Sequence, residues 1–183
     1  MTDERPVPLA RPWLGKEDQA ALGRVLESGV LSRGRELAGF EQEMAGVAGT
    51  AAAVGVNSGT TAIQLVLEAL EIGAGDEVIT VSFTFVATLN AIARCGARAR
   101  LVDIDPLTLN IDPAAIESAV TERTRAILVV HLFGRLAPMG PILDIARRRE
   151  LHVIEDACEA LGAERNGRRA GGIGDAGTFG FYP

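Results

Sequence analysis

Apolar residues fall in short runs separated by polar, glycine-punctuated stretches, and these runs alternate between two periods. Runs at 51–56, 78–81, 99–102, 126–130 and 153–155 have the length and composition of buried strands. Apart from the last, each is followed by a segment with helical spacing. The clearest helix is 61–70, where Ile63, Val66, Leu67 and Leu70 form one stripe at i, i+3, i+4 and i+7. Ahead of the alternation lie an extended arm over 1–15, with prolines at 6, 8 and 12, and two helices over 16–28 and 35–48, bounded by Gly29, Gly34 and Gly49. A glycine-rich turn near the end leads into a sixth strand over 175–181. Strand and helix in strict turn predict a three-layer α/β fold, a mostly parallel sheet with helices on both faces. The predicted organisation is an N-terminal arm with helices over 1–50 and an α/β domain over 51–183, with no internal repeat.

Composition narrows the functional classes. A chain of 183 residues with 48% hydrophobic content can bury a core. Its net charge is −6 and its arginines are scattered apart from Arg147-Arg148-Arg149, so the clustered basic face of a nucleic-acid binder is missing. Cys95 and Cys158 lie in unlike contexts and suggest neither a disulfide nor a metal pair. The longest apolar run, 126–130, is far too short for a bilayer, and the polar opening Met1-Thr2-Asp3-Glu4 has no export core. The expectation is a cytoplasmic protein without membrane, nucleic-acid or metal partners.

Three segments carry candidate chemistry. Asn57-Ser58-Gly59-Thr60 follows an apolar run and opens a helix, where free amides and the helix dipole receive phosphate. Gly59 permits close approach, and Ser58 and Thr60 add hydroxyls; an ordinary helix cap is the commoner use of such residues. Phe83-Thr84-Phe85-Val86 could lay a ring against a flat cofactor, although core packing is the favoured reading for two phenylalanines. Asp156 ends the run Val153-Ile154-Glu155, at the strand end where open α/β sheets bind ligands. Its carboxylate there needs a cation or strong donor, such as a protonated pyridine nitrogen, unless it caps a helix. Alternation along the strand turns Glu155 to the other side. Gly172-Ile173-Gly174-Asp175-Ala176-Gly177 matches a dinucleotide fingerprint in letters only, because strand-like residues rather than a helix follow it. His131 reads as a hydrogen-bonded strand-end residue rather than a metal ligand.

In order along the chain, Asn57-Ser58-Gly59-Thr60, Gly75-Asp76-Glu77-Val78, Phe83-Thr84-Phe85-Val86-Ala87-Thr88, Val102-Asp103-Ile104-Asp105, His131-Leu132-Phe133-Gly134, Glu155-Asp156-Ala157 and Gly174-Asp175-Ala176-Gly177-Thr178-Phe179 resemble the DegT/DnrJ/StrS family of sugar aminotransferases. The resemblance implies the large domain of fold-type I transferases, with pyridoxal 5′-phosphate (PLP) as cofactor. By position, Ser58, Gly59 and Thr60 would hold its phosphate, Phe85 would stack on its ring, and Asp156 would pair with the pyridine nitrogen. Glu159 stands where many members have a glutamine that contacts the ring hydroxyl, and Gly180 where many have a phosphate-binding serine. A branch of the family that reads Phe-Tyr-Pro-Asn-Lys is similar to this chain at both positions.

The implied reaction moves an amino group from glutamate or glutamine to a keto group of a nucleotide-linked sugar, in a homodimer. The only lysine is Lys16, and the family's Schiff-base lysine lies two positions beyond the residue matching Pro183. The expectation is therefore an incomplete domain, truncated before the small domain and inactive alone, with a gap in its sheet that favours self-association. A non-catalytic PLP- or nucleotide-binding module, or a lysine-less PLP sugar dehydratase, are the alternatives.

Overall fold

A computed structural model describes residue 8 and residues 10–182; the arm expected at 1–7, residue 9 and Pro183 lie outside the described residues. Two helices come first, Lys16–Ser28 (α1) and Arg35–Ala48 (α2), each closed by a glycine in the left-handed region, Gly29 and Gly49. Then follow Gly59–Ala69 (α3), Glu77–Val81 (β1), Val86–Arg94 (α4), Arg98–Val102 (β2), Pro113–Ala119 (α5), Thr124–Val130 (β3), Met139–Arg149 (α6) and His152–Asp156 (β4). A two-residue-per-strand hairpin, Glu164–Arg165 (β5) with Arg168–Arg169 (β6), precedes the last strand, Ala176–Thr178 (β7). Its turn is Asn166-Gly167, both at positive φ, the pairing that tight hairpins demand.

The main sheet has the order β2-β1-β3-β4-β7 and every pairing in it is parallel. All residues of β1, and Ala126 to Val130 of β3, are buried, so both faces of the sheet are covered, the three-layer arrangement the alternation predicts. One continuous core runs through it. Ile63 and Leu67 of α3, Ile92 of α4, Ile116 of α5 and Ile142 of α6 pack against the central strands. The register aligns Val130 with Asp156, and Asp156 with Thr178, so the carboxyl ends of β3, β4 and β7 lie side by side.

Two expectations about strands need correction. Residues 51–56 form no strand: Val54 is 79% exposed, and the segment is held instead by the Gly55 amide donating to Glu41 Oε1 at 2.8 Å. Its composition suits a strand, but among the described residues no ladder partner borders it, and a strand exists only as half of a pairing. The final strand is also shorter than 175–181, because Phe179 and Gly180 leave the ladder beside the start of α3. Helix α1 buries no residue and exposes Leu22 and Leu26.

Tight backbone crossings identify the glycines that matter. A Cβ on Gly172 would lie inside the carbonyl oxygen of Ala48, the end of α2, whereas one on Gly39 within α2 meets no atom of the described residues. Gly172→Ala is therefore expected to lower stability by about 1–3 kcal/mol, and Gly39→Ala to raise it by about 0.5–1 kcal/mol. Urea denaturation of both variants checks this; equal midpoints would show that the Gly172 crossing is not tight.

Candidate functional site

Strand β4 ends on two adjacent carboxylates that face opposite sides of the sheet. Glu155 is fully buried and accepts four hydrogen bonds, from His131 Nε2 at 2.8 Å and from the amides of Gly171 at 3.0 Å, Ile173 at 2.6 Å and Gly174 at 2.7 Å. The Ala137 amide donates to His131 Nδ1 at 3.2 Å, which leaves Nε2 as the protonated nitrogen and the imidazole neutral. Burial pushes the Glu155 carboxyl up, but the hydrogen bond from His131 and the three amides outweigh it and hold the group below the ordinary glutamate value. The fingerprint-like 172–177 segment thus wraps an internal anion and continues into β7 rather than a helix, as its sequence context implies. His131 is the hydrogen-bonded strand-end residue that its position suggests.

Asp156, on the other face, is 6% exposed. Thr88 Oγ1 in α4 donates to its Oδ2 at 2.8 Å, and the Cys158 amide donates to its Oδ1 at 3.3 Å. Thr84 Oγ1 lies 2.8 Å from Thr88 Oγ1. Burial, followed by the nearby Asp156 and Glu159 carboxylates, pushes the Cys158 thiol well up, so it stays a neutral packing group. A Cβ on Gly59 would be 2.9 Å from Cys158 Sγ and one on Gly180 would be 3.1 Å from it. Cys158 therefore joins the start of α3 to the exit of β7, right beside Asp156.

The start of α3 satisfies only part of its amide donors among the described residues. Ser58 caps the helix, its Oγ accepting from the Thr61 amide at 3.1 Å. Among the described residues, the amides of Gly59 and Thr60 have no partner. Phe85 is the residue before α4 and is 69% exposed; Phe83 is 44% exposed and meets Phe133 edge-on at 6.2 Å. The expectation of core packing for these two rings is overturned: the chain leaves β1 at its carboxyl end, and there both side chains stand over the sheet's rim rather than inside it. Glu159 is exposed and accepts from the Phe133 amide at 2.9 Å. The loops after β1, β3, β4 and β7 and the start of α3 thus meet at one end of the sheet, bringing together Gly59, Thr88, Asp156 and Gly180, with Glu159 tied to Phe133 alongside.

Lys16 lies in α1, outside this cluster of strand ends. Among the described residues no group of three or more His, Cys, Asp or Glu is placed to hold a metal ion, and no helix is long and apolar enough to cross a membrane. Sequence reasoning missed the contacts of Thr88, Phe133 and Cys158. Only the i, i+4 spacing of Thr84 and Thr88, which puts two hydroxyls on one side of a helix start, was there to be read.

Comparison with known proteins identifies a family and a fold. The model of the DegT/DnrJ/EryC1/StrS aminotransferase family matches residues 12–183. GDP-perosamine synthase of Caulobacter vibrioides is 44% identical over 183 residues, 100% of this chain and 49% of that protein. The dTDP-3-amino-3,4,6-trideoxy-alpha-D-glucose transaminase of Streptomyces venezuelae is 46% identical over 93% of this chain and 45% of its own length. The X-ray structure of an aminotransferase from Psychrobacter cryohalolentis superposes with a TM-score of 0.89 at 37% identity, covering 94% of this chain and 44% of that one. The chain spans about half the length of the curated relatives it matches.

The Glu155 cluster generates a pH test. A carboxyl whose pKa is lowered on folding stabilises fully above its unfolded value, and that contribution fades as pH falls through the lower folded value. Glu155→Gln is expected to cost on the order of 3 kcal/mol at neutral pH, through lost charge-assisted hydrogen bonds. The gap to the wild type should narrow as pH drops below the ordinary glutamate range. Denaturation at several pH values checks it, and a gap that does not change with pH would contradict the assignment.

Proposed function

The chain belongs to the DegT/DnrJ/EryC1/StrS aminotransferase family, and on that premise we propose that it carries the PLP-binding region of an aminotransferase acting on a nucleotide-linked keto sugar, with glutamate or glutamine as amino donor. The observation that carries the reading is Asp156: an all but buried carboxylate at the end of β4, with an internal donor on each oxygen, and across Cys158 from it the amides of Gly59 and Thr60, which have no partner among the described residues. The relatives' names supply the sugar class. Both named enzymes handle nucleotide-linked amino sugars.

The donor set fits the cofactor. Two amides at the start of α3 that have no partner among the described residues, with the helix dipole behind them, suit a phosphate, and the absence of a Cβ at Gly59 and Gly180 lets the helix start and the exit of β7 close directly against Cys158 beside Asp156. Ser58 closes the first turn and so holds these amides outward, while Thr60 offers a further hydroxyl. Phe85 presents a free ring for stacking. Asp156 would orient the pyridine nitrogen and keep its proton in place, and Glu159 would face the ring hydroxyl. The chemistry gained on binding is that of an electron sink for amino-group transfer. No lysine occurs in 51–183, so within these residues nothing takes the role of covalent anchor and proton shuttle, and we read these 183 residues as binding without turnover. The parent enzyme we picture is a cytoplasmic homodimer in amino-sugar or polysaccharide biosynthesis.

Titration of PLP against the wild type, Asp156→Ala and Thr60→Ala tests the reading. Loss of the charged partner should weaken binding roughly 10- to 100-fold and loss of the Thr60 hydroxyl about 3- to 10-fold. Equal affinity in all three would remove the assigned site. Borohydride treatment of the PLP-loaded chain, with peptide mapping, should leave no stoichiometric pyridoxyl adduct; a specific adduct on Lys16 would contradict the binding-only assignment.

A further inference from the structure

We propose that Thr88 and Thr84 form a hydroxyl relay that positions Asp156 toward the ring nitrogen and ties it to the Phe85 ring; this rests on the reading of Asp156 just given. Thr88 is fully buried, yet it lies 68 positions from Asp156 in sequence and on a helix rather than on the sheet. An ionised carboxylate only accepts hydrogen bonds, and a threonine hydroxyl has one proton. The Thr88 proton is therefore committed to Asp156 Oδ2 at 2.8 Å. The 2.8 Å contact with Thr84 must then run the other way, with the Thr84 hydroxyl donating to Thr88 Oγ1. The direction of the relay, Thr84 to Thr88 to Asp156, follows from counting protons.

Thr88 does a second thing from the same position. Its amide donates to the Phe85 carbonyl at 3.1 Å, so one residue holds both the carboxylate and the backbone that carries the exposed ring. Thr84 and Thr88 flank Phe85 and close the turn around it. With the Cys158 amide on Oδ1, each oxygen of Asp156 is fixed from inside the chain, which restricts rotation about the side chain and leaves the outward lone pairs for a ligand. An isolated threonine near the start of a helix more often bonds its own backbone. Here both hydroxyls are used on the path to Asp156 instead. In such a chain the Thr84 donation polarises Thr88 and strengthens its bond to the carboxylate.

The probe is pyridoxamine 5′-phosphate with a 15N-labelled ring nitrogen, titrated into the wild-type chain, Asp156→Ala, Thr88→Val, Thr88→Ser and Thr84→Val. Thr88→Val should weaken binding about 10-fold, the size of one lost hydrogen bond to a charged group, and move the ring-nitrogen shift toward that of an unprotonated pyridine. Thr88→Ser should restore both within about 2-fold, since the hydroxyl is what counts. Thr84→Val should give a smaller change in the same direction. Wild-type affinity and shift in Thr88→Val, alongside weakened Asp156→Ala, would overturn the relay and leave the site intact. Unweakened binding in Asp156→Ala, or no binding by the wild type, would instead overturn the proposed function. If Thr88→Val loses cooperative unfolding, Thr84→Val decides, and an unmoved nitrogen shift there would also sink the relay.

Discussion

Among the described residues no arginine or lysine lies against the buried Glu155 carboxylate, and four hydrogen-bond donors converge on it from the His131 imidazole and the 171–174 turn. A bare carboxylate in that position would cost far more than a domain's margin of stability, so donors and charge stand or fall together. Their arrangement fixes the turn, the turn sets β7 against β4 with Asp156 opposite Thr178, and the exit of β7 brings Gly180 against Cys158 and the start of α3. The end of the sheet where Asp156, Cys158, Gly59 and Gly180 meet is built outward from this anion.

The two-residue period of a strand explains why Glu155 and its neighbour have different tasks. One position further along β4, Asp156 emerges on the opposite face, where α4 supplies Thr88 and the chain itself supplies only two donors. A carboxylate saturated by four internal donors has nothing left to offer a ligand; one held by two is rigid and still has acceptor capacity. Glycines serve both halves of this design. In the 171–174 turn they allow amides to reach Glu155 past crowded backbone, and at Gly59 and Gly180 they let the start of α3 and the exit of β7 pack against Cys158 beside Asp156.

Much of this was legible because it is local. The stripe of Ile63, Val66, Leu67 and Leu70 with Ser58 before it announced α3 and its cap, and β-branched runs ending on Asp156 announced the strand and its carboxylate. The opposite facing of Glu155 followed from alternation alone. What the sequence hid is pairing between distant segments. Nothing in residues 51–56 says that their strand-like composition would find no partner, nothing in Phe83 and Phe85 says that their turn leads onto the rim instead of into the core, and nothing near Glu159 points to the Phe133 amide. Thr88 was hidden for the same reason: its partner is 68 residues away.

Amide-resolved NMR of the chain titrated with pyridoxamine 5′-phosphate tests most directly whether the end of β4 and the start of α3 act as one site. Saturable shifts sharing one binding curve are expected at Gly59, Thr60, Ala157 and Cys158, with the Arg165–Arg168 hairpin unmoved. Shifts centred on the groove between β2 and α5, lined by Arg98, Arg100 and Ser118, or separate binding curves at Gly59 and Cys158, would contradict it.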